Sequence, residues 1–191
     1  MRIILGSSSQ RRIEIMRTVV PEFEVIPADI DESQYRRKYP TALTMATAMA
    51  KGRALADRIT DPAIIITADT VVRMADGTIR EKPQSEAEAR LWLHSYERSH
   101  PCAVTAVYGI RTTDRLDLIA TDAATVAFRP FSQERITAII ADGTAMTCSG
   151  AFTMEHPLFA DHIEKVWGNP ETIQGLPSAI LKSFVWVLSR T

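Results

Sequence analysis

Two adjacent arginines near the start of the chain are the first residues that could do chemistry. Arg11 and Arg12 follow a short apolar run at 3–5 and a stretch of three serines. The apolar run is typical of a buried strand, and apolar residues at helical spacing after the arginines predict a helix. Cations are unfavourable in the first turn of a helix, because that end already carries partial positive charge. The pattern favours an anion site over the commoner alternative, a solvated arginine pair.

A carboxylate inside an apolar stretch is the second candidate. Asp69 lies between residues 63–66, which predict a buried central strand, and the valines at 71 and 72. We expect Asp69 where this strand leaves the sheet, since open α/β sheets usually bind ligands at that edge. A buried carboxylate needs a metal ion, a cation or a hydrogen-bond donor as its partner. We therefore interpret Asp69 as functional rather than as a turn residue.

The remaining charged residues carry weaker signals. Lys82 precedes Pro83, which could fix the position of the ammonium, but a solvated loop lysine explains the pair equally simply. Lys51 and Arg53 lie in a predicted long helix, where an ordinary charged face accounts for both.

Asp31 and Glu32 form an acidic pair after the second predicted strand. Loop acids are common, but carboxylates beside a polyphosphate are what Mg²⁺ accepts as ligands. Taken together, these groups suit polyphosphate chemistry, in which cations and a metal neutralise phosphates and a carboxylate orients or deprotonates water. The chain has no G-x-x-x-x-G-K-[ST] motif, which argues against a P-loop enzyme.

Composition sets the broad class. The 191 residues, 46% hydrophobic and 24% charged, predict one globular domain, or one with two lobes. A net charge of −1 argues against a nucleic-acid partner, and no apolar run approaches the roughly 20 residues of a membrane helix. Two cysteines without metal-ligand spacing are expected to be reduced thiols, which predicts a cytoplasmic protein.

The order of elements predicts an α/β fold with a mixed sheet. Helices are expected after Thr41 as N-cap, after Ser85 in a capping box with Glu88, and between Ser132 and Gly143. Residues 103–111 and 117–128 are expected to form a hairpin.

These residues resemble the motifs of the Maf family of nucleoside triphosphate pyrophosphatases. The matching segments follow the family's order and read, in this chain, Ser7-Ser8-Ser9-Gln10-Arg11-Arg12, Asp29-Ile30-Asp31-Glu32, Arg53-Ala54, Ala68-Asp69-Thr70-Val71-Val72, Lys82-Pro83, Thr125-Val126-Ala127-Phe128 and Gly175-Leu176-Pro177. Two departures are Gln10, where the family usually has proline, and Arg53, where it usually has lysine.

The resemblance implies a single domain over 1–191 with a mixed central sheet flanked by helices. It further implies a fold related to inosine triphosphate pyrophosphatases, two lobes around a cleft, and a homodimer. The implied reaction is hydrolysis of a nucleoside triphosphate to the monophosphate and pyrophosphate, dependent on Mg²⁺, with Mn²⁺ or Co²⁺ as alternatives.

The resemblance also implies a set of site residues. Asp69 would activate the attacking water, and Glu32 would help Asp69 hold the metal. The expected substrate-binding residues are Ser7, Ser9, Arg11, Arg12, Arg53, Lys82 and Glu155.

Glu155 bears on the nucleobase. The segment from Ser149 to Glu155 resembles the branch of the family linked to 7-methyl-GTP and other modified or pyrimidine nucleotides, whereas the dTTP and UTP branch has glutamine at this place. A carboxylate could accept hydrogen bonds from the N–H groups of a guanine edge. Two other hypotheses stay open: a nucleotide-binding regulator of cell division with weak or no turnover, and a kinase or phosphatase of another class.

Overall fold

A computed structural model of the chain describes residues 1–190, which form seven strands and eight α-helices. The elements are β1 (Arg2–Leu5), α1 (Gln10–Val19), β2 (Glu24–Val25), α2 (Pro40–Arg58), β3 (Ala63–Arg73), β4 (Ile79–Arg80), α3 (Glu86–Ser95), β5 (Cys102–Arg111), β6 (Asp117–Phe128), α4 (Gln133–Asp142), α5 (Thr144–Thr147), α6 (Pro157–Ala160), β7 (Ile163–Trp167), α7 (Pro170–Gln174) and α8 (Ser178–Leu188). Short 3₁₀ turns occur at Glu32–Tyr35 and Ser149–Ala151.

The strands form a mixed sheet in the order β2-β1-β3-β5-β6-β7, and β4 pairs with β3. β1 runs parallel to β2 and β3, whereas β4 is antiparallel to β3 and β7 is antiparallel to β6. The predicted α/β class with a mixed sheet and flanking helices is confirmed. Among residues 1–190, no helix combines the length and apolar character that crossing a membrane requires.

The chain divides into two compact units. Among the described residues, the first contains 1–69, 105–122 and 174–190, and the second contains 70–104 and 123–173. The division falls within β3, β5 and β6, so each of these strands supplies residues to both units. Two units agree with the two predicted lobes. The predicted cleft and the predicted single domain over 1–191 stay predictions.

The core of the first unit follows from the alternation of side chains along β3. Ile64 and Ile66 pack in a cluster with α1 and α8, whereas Ala63 and Ile65 pack in a cluster with α2. Residues 63–69 are all buried, as expected for a strand covered on both faces. Odd-numbered positions of this part of β3 therefore face α2.

The core of the second unit is rich in aromatic side chains. Tyr96, Phe128, Phe131, Phe152 and Phe159 are buried together, with ring centroids 5.3–6.0 Å apart in the closest pairs. Each of these pairs is tilted or edge-on, and edge-on contacts are among the arrangements that aromatic quadrupoles favour.

Several predicted helix ends are confirmed by capping contacts. The Ser85 hydroxyl accepts a hydrogen bond from the Glu88 amide, and Ser132 caps α4 in the same way. Gly143 ends α4 with a left-handed φ of 82°. The prediction of Thr41 as an N-cap is wrong, because α2 begins at Pro40 and its N-cap is Tyr39. Proline is favoured at the first helical position, since its fixed φ suits the helix and its missing N–H leaves no donor unsatisfied.

Candidate active site

The loop between β1 and α1 has the arrangement that the sequence predicts. Ser9 is the N-cap of α1, so Arg11 and Arg12 lie in the first turn, which contains no acidic residue. Gly6 fixes the start of the loop, since its amide donates to the Ile66 carbonyl at 2.8 Å. The Ser9 amide donates to the Ser7 hydroxyl at 3.3 Å, which turns the serine loop back on itself.

Arg12 holds this loop against the sheet. Its Nη1 donates to the Ala68 carbonyl at 2.8 Å and to Ser7 Oγ at 3.4 Å, and its Nε donates to the Gly175 carbonyl at 3.0 Å. Burial lowers the pKa of Arg12 below its ordinary value, and the nearby carboxylates of Asp69 and Glu32 oppose that shift. Arg12 therefore contributes positive charge next to Asp69 while several of its N–H donors are bound to protein acceptors.

Asp69 does not lie at the end of its strand. The prediction that the strand leaves the sheet there is wrong, because β3 continues without a break to Arg73. Asp69 and Thr67 both lie at odd-numbered positions of β3, so their side chains are on the face of the sheet that packs against α2. The Thr67 hydroxyl donates to the Ala48 carbonyl of α2 at 2.7 Å. The carboxylate is thus directed toward a helix, and its side chain is 12% exposed.

Lys51 of α2 is the partner that a buried Asp69 requires. Its Nζ lies 3.0 Å from Asp69 Oδ1 and 3.0 Å from Glu32 Oε1, and its side chain is 11% exposed. One ammonium therefore links a buried carboxylate of the sheet to a half-exposed carboxylate of the loop before α2. We name Glu32, Lys51 and Asp69 the acid–lysine cluster.

Sequence reasoning missed Lys51, although a signal was present. Ala48 and Leu55, three residues before it and four after it, are both fully buried on α2. Residues at these spacings share one helix face, so Lys51 had to lie on the face that packs against the sheet. A lysine on such a face needs a carboxylate partner.

Arg53 lies elsewhere. The structure brings Lys51, and not Arg53, to the Asp69 carboxylate, since the two residues lie on different sides of α2. Arg53 is 54% exposed and its Nη2 lies 3.6 Å from Asp117 Oδ2. The same carboxylate oxygen accepts a hydrogen bond from the Tyr108 hydroxyl at 2.8 Å. This geometry gives no support to a role for Arg53 in place of the lysine at the phosphates.

Asp31 and Glu32, the adjacent acidic residues before α2, make different contacts. The Asp31 carboxylate accepts hydrogen bonds from the Ser33 amide and hydroxyl and from the Gln34 amide group, which lower the pKa of Asp31. Asp31 thereby caps the 3₁₀ turn at Glu32–Tyr35. Glu32, the first residue of that turn, is left to contact Lys51.

The donor set suits a metal held jointly with a substrate. Among residues 1–190, no group of three or more His, Cys, Asp and Glu side chains is arranged to hold a metal. Glu32 and Asp69 supply two carboxylates, and Mg²⁺ is commonly bound by one or two carboxylates together with substrate phosphates and water. The Lys51 ammonium between them shows that this position accepts positive charge.

The other two predicted site residues lie in the second unit. Lys82 is exposed next to the buried Pro83, and Glu155 is exposed and contacts the hydroxyl of the buried Thr153. The turn before Glu155 is anchored at three points, which we name the 149–151 anchor. Ser149 Oγ donates to the Thr70 carbonyl at 3.0 Å, the Gly150 amide donates to the Glu81 carbonyl at 2.9 Å, and the Tyr96 hydroxyl donates to the Gly150 carbonyl at 2.6 Å.

The fold defines a class of α/β proteins with a mixed central sheet and flanking helices. A solved HAM1 protein from Coxiella burnetii has the same fold, with a TM-score of 0.50 and 17% identity over 70% of this chain and 75% of that one.

Family membership follows from the sequence comparisons. The chain belongs to the Maf family, since the model for Maf-like proteins matches residues 2–186. It is 35% identical to a 7-methyl-GTP pyrophosphatase of Dictyostelium discoideum, over 98% of both chains. It is 31% identical to a dTTP/UTP pyrophosphatase of Clostridium perfringens, over 93% of this chain and 92% of that one.

Proposed function

We propose that this protein hydrolyses a nucleoside triphosphate to the nucleoside monophosphate and pyrophosphate. The observation that carries the proposal is the acid–lysine cluster, in which a carboxylate from the middle of a buried strand is held by an ammonium 3.0 Å away. The pyrophosphatase names of relatives that match the chain almost end to end support the same reaction.

The residues divide the chemistry as follows. Lys51, Arg11 and Arg12 supply positive charge for the phosphates, with the Ser7 and Ser9 loop as a source of hydroxyl and amide donors. Asp69 accepts a proton from the attacking water, whose oxygen bonds to the α-phosphorus while the bond to the departing pyrophosphate breaks. Glu32 and Asp69 would hold Mg²⁺, with Mn²⁺ or Co²⁺ as alternatives. When bound, such an ion neutralises the phosphates and polarises the phosphoryl group.

We propose 7-methyl-GTP as the preferred substrate. The support is Glu155, whose carboxylate matches the N–H groups of a guanine edge and the positive charge that N7-methylation adds to the base. The 7-methyl-GTP pyrophosphatase among the relatives agrees with this choice.

A substrate panel tests both proposals. Pyrophosphate release is measured with 7-methyl-GTP, GTP, dTTP, UTP and CTP for the wild type and for Asp69→Asn and Glu155→Gln. We expect Asp69→Asn to lower kcat by about 10²–10⁴-fold, the usual contribution of a general base. We expect Glu155→Gln to lower kcat/KM for 7-methyl-GTP by about tenfold or more, and for UTP by much less.

Three outcomes contradict these proposals. A preference of the wild type for dTTP refutes the assignment of Glu155, and orthophosphate among the products refutes the reaction class. Nucleotide binding without turnover under every divalent metal supports the regulator of cell division instead. The homodimer and the cytoplasmic location stay predictions, and light scattering after size-exclusion chromatography tests the first.

A further inference from the structure

The Lys51 ammonium lies 3.0 Å from Glu32 and 3.0 Å from Asp69, the two carboxylates that would hold a divalent ion. We propose that Lys51 is a placeholder cation: it keeps the two carboxylates together while no nucleotide is bound, and it moves onto the nucleotide's phosphates when the metal enters. This inference rests on the proposed function and adds an order of binding, in which the nucleotide promotes metal binding.

The contacts of the acid–lysine cluster carry the first step. Both carboxylate oxygens lie 3.0 Å from the same nitrogen, so a single small cation can contact both. Two carboxylates drawn this close repel each other unless a cation lies between them. Asp69 is 12% exposed whereas Glu32 is 56% exposed, so solvent screens this repulsion only in part. The ammonium therefore keeps the two candidate metal ligands close to each other.

The same charge works against a metal. A divalent ion that approaches Glu32 and Asp69 meets the ammonium within hydrogen-bond distance of both ligands, and must displace it or bind beside it. Either route lowers the affinity for the free metal, because like charges at this separation repel strongly in a partly buried site.

A triphosphate removes the conflict. An ammonium has three N–H donors on a flexible four-carbon stem, and it can exchange a carboxylate oxygen for a phosphate oxygen without losing a charged acceptor. Glu32 is 56% exposed, so the outer side of the cluster is open to an arriving polyanion. By linkage, nucleotide and metal then raise each other's affinity by the same factor.

Mn²⁺ binding to the purified protein tests the placeholder. The fraction of free Mn²⁺ is measured by its paramagnetic resonance signal, first without nucleotide, for the wild type, Lys51→Met and Lys51→Gln. We expect both variants to bind Mn²⁺ at least about tenfold more tightly than the wild type, because the competing charge is gone. For the wild type, an analogue of 7-methyl-GTP with a methylene group between the α- and β-phosphorus should raise the Mn²⁺ affinity of the protein by a similar factor, after correction for the Mn²⁺ that the analogue binds in a sample without protein.

Two control variants test whether the change in Mn²⁺ affinity comes from the acid–lysine cluster. Lys182→Met removes an exposed lysine of α8 in the same unit, and should leave Mn²⁺ affinity within about twofold of the wild type. Adding Asp69→Asn to Lys51→Met should abolish the gain, since one ligand is lost. Circular dichroism establishes that each variant is folded, and Mn²⁺ should raise the melting temperature of Lys51→Met more than that of the wild type.

The outcomes separate this inference from the proposed function. If Lys51→Met binds Mn²⁺ no better than the wild type, the placeholder is refuted, whatever the pyrophosphatase assay shows. If the Mn²⁺ results are as expected but the wild type releases no pyrophosphate from any nucleotide, the placeholder stands and the proposed reaction is wrong.

Discussion

The close approach of α2 to the sheet at Gly52 yields a sharp prediction about stability and activity. A Cβ atom at Gly52 would lie 2.4 Å from Cδ1 and 2.6 Å from Cε1 of Tyr108, and 3.1 Å from Thr67 Oγ1. The Tyr108 ring cannot move away easily, because it is fully buried and its hydroxyl donates a hydrogen bond to Asp117 Oδ2 at 2.8 Å. In Gly52→Ala, α2 must therefore move about 1 Å away from Tyr108 of β5 to restore ordinary contact distances of 3.4–4 Å.

Two effects of opposite sign compete in this variant. Overpacking a buried contact costs roughly 1–3 kcal/mol. Alanine is a better helix former than glycine by about 1 kcal/mol in the interior of a helix. The net expectation is a loss of about 1 kcal/mol of unfolding free energy, or roughly 2–4 °C in melting temperature for a chain of this size.

Gly52→Ala should also lower the rate of pyrophosphate release, by more than the small change in unfolding free energy would suggest. Lys51 precedes Gly52 on the helix, so a shift of α2 by about 1 Å also displaces the Lys51 side chain, which the proposed function places on the phosphates. Displacements of this size can lower a rate by about 100-fold. Pyrophosphate release at saturating nucleotide measures this effect.

Urea unfolding with a double-mutant cycle tests the cause. Tyr108→Leu removes the ring that the new methyl group would contact, so Gly52→Ala should cost at least about 0.5 kcal/mol less in that background. The reasoning fails if Gly52→Ala is more stable than the wild type by the full helix-propensity gain, or if the two substitutions are additive.

Three further predictions concern single residues. Arg53→Ala should leave kcat/KM for pyrophosphate release within about twofold, since an exposed ion pair with Asp117 contributes little; a tenfold loss would restore Arg53 to the phosphate site. Tyr96→Phe should cost about 1–3 kcal/mol in urea unfolding, because the Gly150 carbonyl loses a buried donor; equal stability would contradict this. Burial raises the pKa of Tyr96 and of Tyr108 to about 12. The folded state keeps both protons above pH 10, where the unfolded chain loses them, so stability should fall as pH rises from 10 to 12. Phenolate absorbance of the folded protein should show Tyr96 and Tyr108 ionising only near pH 12, and ionisation of either one near pH 10 would be inconsistent with its burial.

The parts of the fold that the sequence predicted are those determined by local chemistry. Ser132 and Gly143 bound α4 as predicted, because a hydroxyl that caps an amide and a residue able to adopt positive φ need only their neighbours. The placement of Arg11 and Arg12 in the first turn of α1 depended on the same kind of signal.

The errors concern residues whose environment comes from distant segments. Asp69 was expected where its strand leaves the sheet because open α/β sheets usually bind ligands at that edge, yet it lies within β3 and an ammonium from α2 compensates its charge there. Lys51 was assigned to a solvated face because charged residues in helices usually are solvated. Only the packing of α2 against β3 brings these two residues together, and the separation of 18 residues between them hides that contact in the sequence.

The 149–151 anchor suggests a route to altered selectivity. Gly150 and Ala151 have positive φ angles of 70° and 59°, and three hydrogen bonds from this turn lead to Thr70, Glu81 and Tyr96. Neither Met154 nor Glu155 takes part in these hydrogen bonds and neither is buried, so this pair could be exchanged from one family branch to another while the anchor and Phe152 stay in place. A graft of this kind would let base preference diverge, in evolution or in the laboratory, without redesign of the surrounding core.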